Sequence, residues 1–233
     1  MTTIADSLQA IQTNIARAQI VAKRVDPIKL LAVSKSQSVQ KIRQAYLIGQ
    51  HCFGENYVQE AIDKQTQLKD LDIEWHFIGP IQSNKTQLIA QHFSWVHSVD
   101  RLKIATRLND SRPQELGLLN VCIQINSSCE ATKSGANLDA LLNLAQAIEA
   151  LPNLKLRGLM AIPAPVKEFA DQCAQFKIVN KAFKQLIANG FALDTLSIGM
   201  SDDYIAAIYE GATVVRIGSA LFGARTYNDD LAN

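Results

Sequence analysis

The 233-residue sequence predicts a parallel (β/α)8 barrel with one additional helix at its N-terminus. Three observations carry that expectation. Eight short apolar runs recur along the chain. Segments of helical periodicity lie between them. Polar residues unlike ordinary loop filler fall just past the ends of several runs. No linker, low-complexity tract or charge block interrupts the series, so residues 1–233 are expected to form a single domain. An open doubly wound sheet is the competing architecture, because it uses the same alternation and differs by as little as one strand.

The chain opens with Ile4, Leu8, Ile11 and Ile15 on one helical face. The apolar runs follow as Leu30–Ser34, His51–Gly54, Trp75–Ile78, Trp95–Val99, Leu119–Ile125, Lys155–Leu159, Thr195–Ile198 and Thr213–Ile217. Two intervening helices are especially clear. One carries Leu138, Leu141, Leu142, Ala145 and Ile148, with Asn137 expected as its N-cap and Pro152 beyond its end. The other carries Phe169, Cys173, Phe176, Val179, Phe183 and Leu186, and stops near Gly190.

Composition narrows the function. With 48% hydrophobic residues the chain fills a sizeable core, which excludes disorder and a disulfide-stapled miniature fold. Lys plus Arg number 23 against 22 acidic residues, a formal charge of +1. That balance leaves no footprint for general nucleic-acid or anionic-membrane binding, while permitting one local anion site. No apolar run approaches the roughly 18 residues of a membrane span, and no signal-peptide core opens the chain. Cys52, Cys122, Cys129 and Cys173 form no CxxC pair, and His51, His76, His92 and His97 form no HxxxH or HxH pattern. Reduced, buried cysteines in a cytosolic protein without a metal are therefore expected.

In such barrels chemistry gathers at the C-terminal strand ends, and phosphate often binds after strands seven and eight. The residues just past the runs are Lys35, Glu55–Asn56, Gly79–Pro80, Asp100, Asn126, Ala161, Met200–Ser201 and Gly218–Ser219. Lys35 shares strand parity with Leu31 and Val33, so it stands at the mouth over an apolar floor if that face points inward. Desolvation there favours the neutral amine that attacks an aldehyde. The plainer reading is a lysine that leaves the strand and carries its charge into water. Ser201 is expected to open a short helix, Ser201–Glu210, closed by Gly211, and to offer a hydroxyl and an N–H to an anion. An ordinary N-cap reads the same way, and Asp202 and Asp203 would repel a phosphate unless they turn outward. Gly218 lets backbone approach a ligand closely, and the Gly218 and Ser219 amides extend the same cup. Arg216 shares parity with Val214 and Gly218 and so faces inward. Its structural partner would be Glu55, and its functional partner a heteroaromatic nitrogen. An aldehyde-binding lysine, a phosphate cup and an inward arginine together describe a site for pyridoxal 5′-phosphate (PLP).

Six segments carry a resemblance: residues 30–35 (LLAVSK), 53–60 (FGENYVQE), 75–85 (WHFIGPIQSNK), 158–162 (GLMAI), 199–203 (GMSDD) and 215–225 (VRIGSALFGAR). In this order, from about Ile4 to Arg225, the chain resembles the pyridoxal phosphate homeostasis protein family. The resemblance implies a cytosolic PLP-binding barrel similar to the N-terminal domain of bacterial alanine racemases. It implies that Lys35 holds PLP as a Schiff base, Asn56 lies beside the ring and Arg216 faces the pyridine nitrogen. Gly199, Met200, Ser201, Gly218 and Ser219 would surround the phosphate. Lys133 matches a lysine the family tends to carry after strand five. Ser36-Gln37-Ser38 departs from the threonine and proline common in relatives, and Ser219 replaces a frequent threonine while keeping the hydroxyl.

A carrier is expected rather than an enzyme. Arginine stays protonated and cannot supply its proton to the ring nitrogen, so the ring remains a weak electron sink. The chain ends eight residues after Arg225, which leaves no room for the second domain of a racemase and favours a monomer. The expected role is to hold PLP reversibly and to influence its supply to apo-PLP enzymes and the balance of amino and keto acids. Two rivals are a slow amino-acid racemase with Tyr57 or Tyr204 as base, and a Schiff-base aldolase using Lys35 without a cofactor.

Overall fold

The computed structural model describes residues 3–127 and 135–223. Eight parallel strands close on themselves in chain order: β1 (Lys29–Val33), β2 (Cys52–Glu55), β3 (Glu74–Phe77), β4 (Trp95–Val99), β5 (Leu119–Gln124), β6 (Leu154–Met160), β7 (Thr195–Ser197) and β8 (Val214–Ile217). Closure is made by β8 pairing with β1, Leu31 opposite Arg216, so no strand edge is left open. The barrel holds over the open sheet, and each expected strand lies within a residue or so of the observed one.

Helices α1 (Ile4–Val21), α2 (Val39–Leu47), α3 (Val58–Gln67), α4 (Thr86–His92), α5 (Leu102–Ser111), α6 (Leu141–Glu149), α7 (Phe169–Ala188), α8 (Tyr204–Tyr209) and α9 (Ser219–Phe222) surround the sheet. α1 opens with a capping box between Thr3 and Asp6 and buries Leu8, Ile11, Ile15 and Ala18. It packs on α2, α8 and α9, the helices next in sequence to β1 and β8.

Two helix starts differ from expectation. The segment after Asn137 begins as a 3-10 turn, Leu138–Ala140, and the Asn137 side chain makes no capping bond. Its backbone carbonyl instead accepts the Ala140 N–H, so the turn closes without the side chain. Ser201 does not start a helix either. The Met200 carbonyl accepts from both Asp203 N and Tyr204 N, and Asp203 Oδ1 accepts the Met200 N–H at 2.6 Å. A tight turn forms over residues 201–203, and α8 begins only at Tyr204 with Asp203 in the cap position. Gly199 makes this turn possible: its φ is +91°, and a Cβ there would stand 2.5 Å from Ala207 Cβ.

Candidate functional site

A cavity of about 260 Å³ lies at the C-terminal mouth of the barrel. Of the residues expected in a site, Lys35, Asn56, Met200, Ser201, Arg216, Gly218 and Ser219 line it together. Gly199 shapes the adjoining turn without lining the cavity. The apolar walls come from Val33, Ile78 and Ile162, and Gln37, Asp202 and Gly223 complete the lining. Lys35 is half-buried there, so it does not leave the strand for open water.

The backbone on either side of Lys35 is tied to one buried cluster. Lys64, on α3, donates to the Ser34 carbonyl at 2.7 Å, to Glu55 Oε1 at 2.8 Å and to Glu60 Oε1 at 2.6 Å. The Ser34 hydroxyl donates to Glu55 Oε1 at 2.6 Å, and the Ser36 N–H donates to Glu60 Oε1 at 2.7 Å. Ser36 adopts φ +58°, an uncommon conformation for a residue with a side chain, and the Glu60 contact offsets its cost. Glu55 is fully buried, and burial pushes its carboxyl upward while Lys64 and Ser34 oppose that shift.

Glu55 therefore is not the partner of Arg216. Strand parity is the reason. Gly54 points into the barrel toward Leu31 and Ile78, so Phe53 and Glu55 point out of it toward the helices. Arg216 points in. Its Nη1 donates to the Ser197 carbonyl and, at 2.8 Å, to Ser197 Oγ, while Nη2 donates to the Ala161 carbonyl at 3.0 Å. Burial lowers the guanidinium to about 10, which leaves it cationic at neutral pH.

The two glycine turns meet at the rim. Ser201 Oγ accepts the Ala220 N–H at 3.4 Å, joining the loop after β7 to the start of α9. A Cβ on Gly218 would lie 3.3 Å from Val33 Cβ, so the β8 turn presses directly on the strand that ends in Lys35. Asp203 is engaged with the Met200 N–H, while exposed Asp202 stands on the cavity lining. Asn56 Oδ1 is buried without a hydrogen-bond partner. Neither tyrosine proposed as a base lines the cavity: Tyr57 is exposed, and buried Tyr204 accepts from Asn14 Nδ2 through its hydroxyl at 3.3 Å. Lys133 and Cys129 lie outside the described residues.

At the opposite end of the barrel Cys52, Glu74 and His76 bring ligand-type atoms within 4.8 Å of one another. Lys29 Nζ, 2.8 Å from Glu74 Oε1, already supplies the cation there, and burial pushes the Cys52 thiol up to about 12. Among the described residues no helix is long and apolar enough to cross a membrane.

A closed parallel barrel with a lysine, an inward arginine and two glycine turns at one mouth is an alanine-racemase-type barrel. The family model for the alanine racemase N-terminal domain matches residues 7–226. A pyridoxal phosphate homeostasis protein from Pseudomonas aeruginosa is 56% identical over 229 residues, covering 97% of this chain and 98% of that protein. Its counterpart from Escherichia coli K12 is 51% identical over 232 residues, covering 98% and 99%. Among solved structures, PipY of Synechococcus elongatus with PLP bound superposes with a TM-score of 0.83 at 35% identity, over 95% of this chain and all of that one. The chain belongs to the alanine racemase N-terminal domain family and, within it, to the pyridoxal phosphate homeostasis proteins.

Proposed function

We propose that this chain binds PLP at the barrel mouth through Lys35 and serves PLP homeostasis, holding the cofactor and releasing it to apo-PLP enzymes. The observation that carries this reading is the cavity itself. One space of about 260 Å³ joins a primary amine, a buried arginine and two hydroxyl-bearing glycine turns, with Asn56 in its wall. Those groups fit a small cofactor with an aldehyde, a ring nitrogen and a phosphate. The names of the relatives and the PLP bound by PipY support it.

When bound, PLP supplies an aldehyde that condenses reversibly with amines and a ring that withdraws electrons. Lys35 would supply the amine that condenses with the aldehyde, the carbonyl oxygen leaving as water. Arg216 would offer its remaining N–H groups to the pyridine nitrogen and, being a donor without a proton to give up, would leave that nitrogen unprotonated. Ser201, Ser219 and the backbone at Gly218 would hold the phosphate, with Met200 beside it and Gly199 shaping the turn behind. Asn56 would lie beside the ring. We read the protein as a carrier without turnover, since neither Tyr57 nor Tyr204 reaches the cavity to act as a base. A monomer in the cytoplasm completes this reading.

Absorbance of protein purified after incubation with PLP tests it. A yellow band bleached by borohydride, with the pyridoxyl group mapped to Lys35, is expected. Protein that remains colourless at saturating PLP would overturn the reading in favour of a cofactor-free lysine.

A further inference from the structure

A line of buried polar side chains runs through the barrel interior from its far end to Arg216. Glu74 Oε1 lies 2.8 Å from His76 Nε2, and His76 Nδ1 lies 2.8 Å from His97 Nε2. His97 Nδ1 lies 2.8 Å from Ser197 Oγ, which receives Arg216 Nη1 at the same distance. His76, His97, Ser197 and Arg216 are all buried, whereas Glu74 sits part-exposed at the N-terminal end of β3. Strands β3, β4, β7 and β8 thus contribute one connected path between the two ends of the barrel.

Its direction follows from its ends. A carboxylate only accepts, so His76 Nε2 carries the hydrogen, and in a neutral ring His76 Nδ1 is bare. His97 must then donate from Nε2, which leaves His97 Nδ1 bare and requires the Ser197 hydroxyl to donate to it. Ser197 Oγ is left to accept from Arg216, and an arginine only donates. Both ends demand the same order, and every neutral ring nitrogen is satisfied. A proton added to His76 would reverse it: His76 would donate from both nitrogens, and His97 would donate to Ser197.

We infer that Ser197, His97 and His76 are positioning residues for Arg216, forming a one-way line of hydrogen bonds, Arg216 to Ser197 to His97 to His76 to Glu74. The Ser197 and Ala161 acceptors take three of the five guanidinium N–H groups, and the line holds the other two for the cavity that Arg216 lines. Burial keeps both imidazoles below the ordinary histidine range. The charged or titratable groups facing them are Lys29 from β1, Cys52 from β2, Glu74 on β3, Arg157 across the Trp95 ring from β6, and Arg216 from β8. Glu74 favours a charged ring, while Lys29, Arg216 and burial oppose one. The effect on ligand rests on the PLP reading above; the line itself does not.

Ring-nitrogen NMR of the cofactor-free, nitrogen-15-labelled protein tests the line, with the His97 signals identified by their loss in His97→Gln. Both His76 and His97 are expected neutral with the hydrogen on Nε2 at pH 7.5 and unchanged at pH 6. A hydrogen on His97 Nδ1, or a charged ring in that range, would refute the direction. PLP affinity then tests positioning. Gln in place of His97 accepts from Ser197 and donates to His76, so His97→Gln should stay within about threefold of wild type. His97→Phe strands both neighbours and should weaken binding by about tenfold, as for one lost buried partner. Ser197→Ala should show the same loss, and decides the matter if His97→Phe does not fold. Equal affinities for Gln, Phe and Ala variants would sink the positioning role. A wild type that takes up no PLP overturns the functional reading instead, while the ring spectra still judge the line.

Discussion

Replacing Lys64 by Met should expose how the site lysine is supported. Lys64 spends its ammonium on the Ser34 carbonyl, Glu55 and Glu60, and its side chain is only 7% exposed against 0% for Glu55. Met preserves the apolar stem and removes the charge, leaving Glu55 buried with only the Ser34 hydroxyl. Breaking one side of a buried ion pair costs about 3–5 kcal/mol. In a chain of this size each kcal/mol lowers Tm by roughly 2–4 °C, so a fall of about 6–20 °C is expected in the cofactor-free protein. The pH dependence has a definite sign. Burial already raises the Glu55 carboxyl, and losing Lys64 raises it further, so the folded variant binds a proton that the unfolded chain has released. The variant's stability therefore falls as pH rises above the usual carboxylate range, and its deficit against wild type narrows on acidification from pH 7.5 to 5.5. Adding Glu55→Gln to Lys64→Met removes the stranded charge and should recover part of the loss. Circular-dichroism melts of wild type, Lys64→Met, Glu55→Gln and the double variant at both pH values complete the cycle. A Tm drop under about 2 °C, or a deficit that widens in acid, would show that the cluster does not support the backbone around Lys35 as described.

Lys35→Ala should abolish the PLP absorbance band and the borohydride-stable label; a label placed mainly on Lys133 in wild type would move the site. Ser201→Ala and Ser219→Ala should weaken PLP by roughly ten- to hundredfold, the worth of about 1.5–3 kcal/mol for a hydrogen bond to an anion, and pyridoxal much less. Equal losses for the two ligands in a binding titration would take both hydroxyls off the phosphate. Gly199→Ala forces a side chain into φ +91° and within 2.5 Å of Ala207 Cβ, so denaturant melts should show a loss above about 1 kcal/mol. Unchanged stability would mean the turn relaxes without cost.

The barrel was legible because its strands are short apolar runs at regular intervals, and because parity places Lys35, Val33 and Leu31 on one face. The same parity argument, extended one strand further, separates the two candidate partners of Arg216. Gly54 turns inward, so Glu55 turns outward to Lys64, and Arg216 is left to find carbonyls and Ser197 inside the barrel. What parity does not reveal is which distant residues fill each side. His97 meets Ser197 across 100 positions, and Lys64 reaches Ser34 across 30, contacts that exist only once the sheet has closed and α3 has docked. No spacing motif marks either set: His76 and His97 lie 21 residues apart on neighbouring strands, and neither matches a ligand pattern. The helix start at Ser201 was obscured for a local reason, since Ser and Asp both cap, and only Asp203 reaching the Met200 N–H decides between them. Both cavity residues that define the proposed chemistry are thus held by polar groups from outside their own strands. Lys35 is steadied from the helical side of the wall and Arg216 from the barrel interior. A substitution on one side should leave the other's readout intact: Lys64→Met should not alter the ring-nitrogen signals of His76 and His97, whereas a change at Ser197 should.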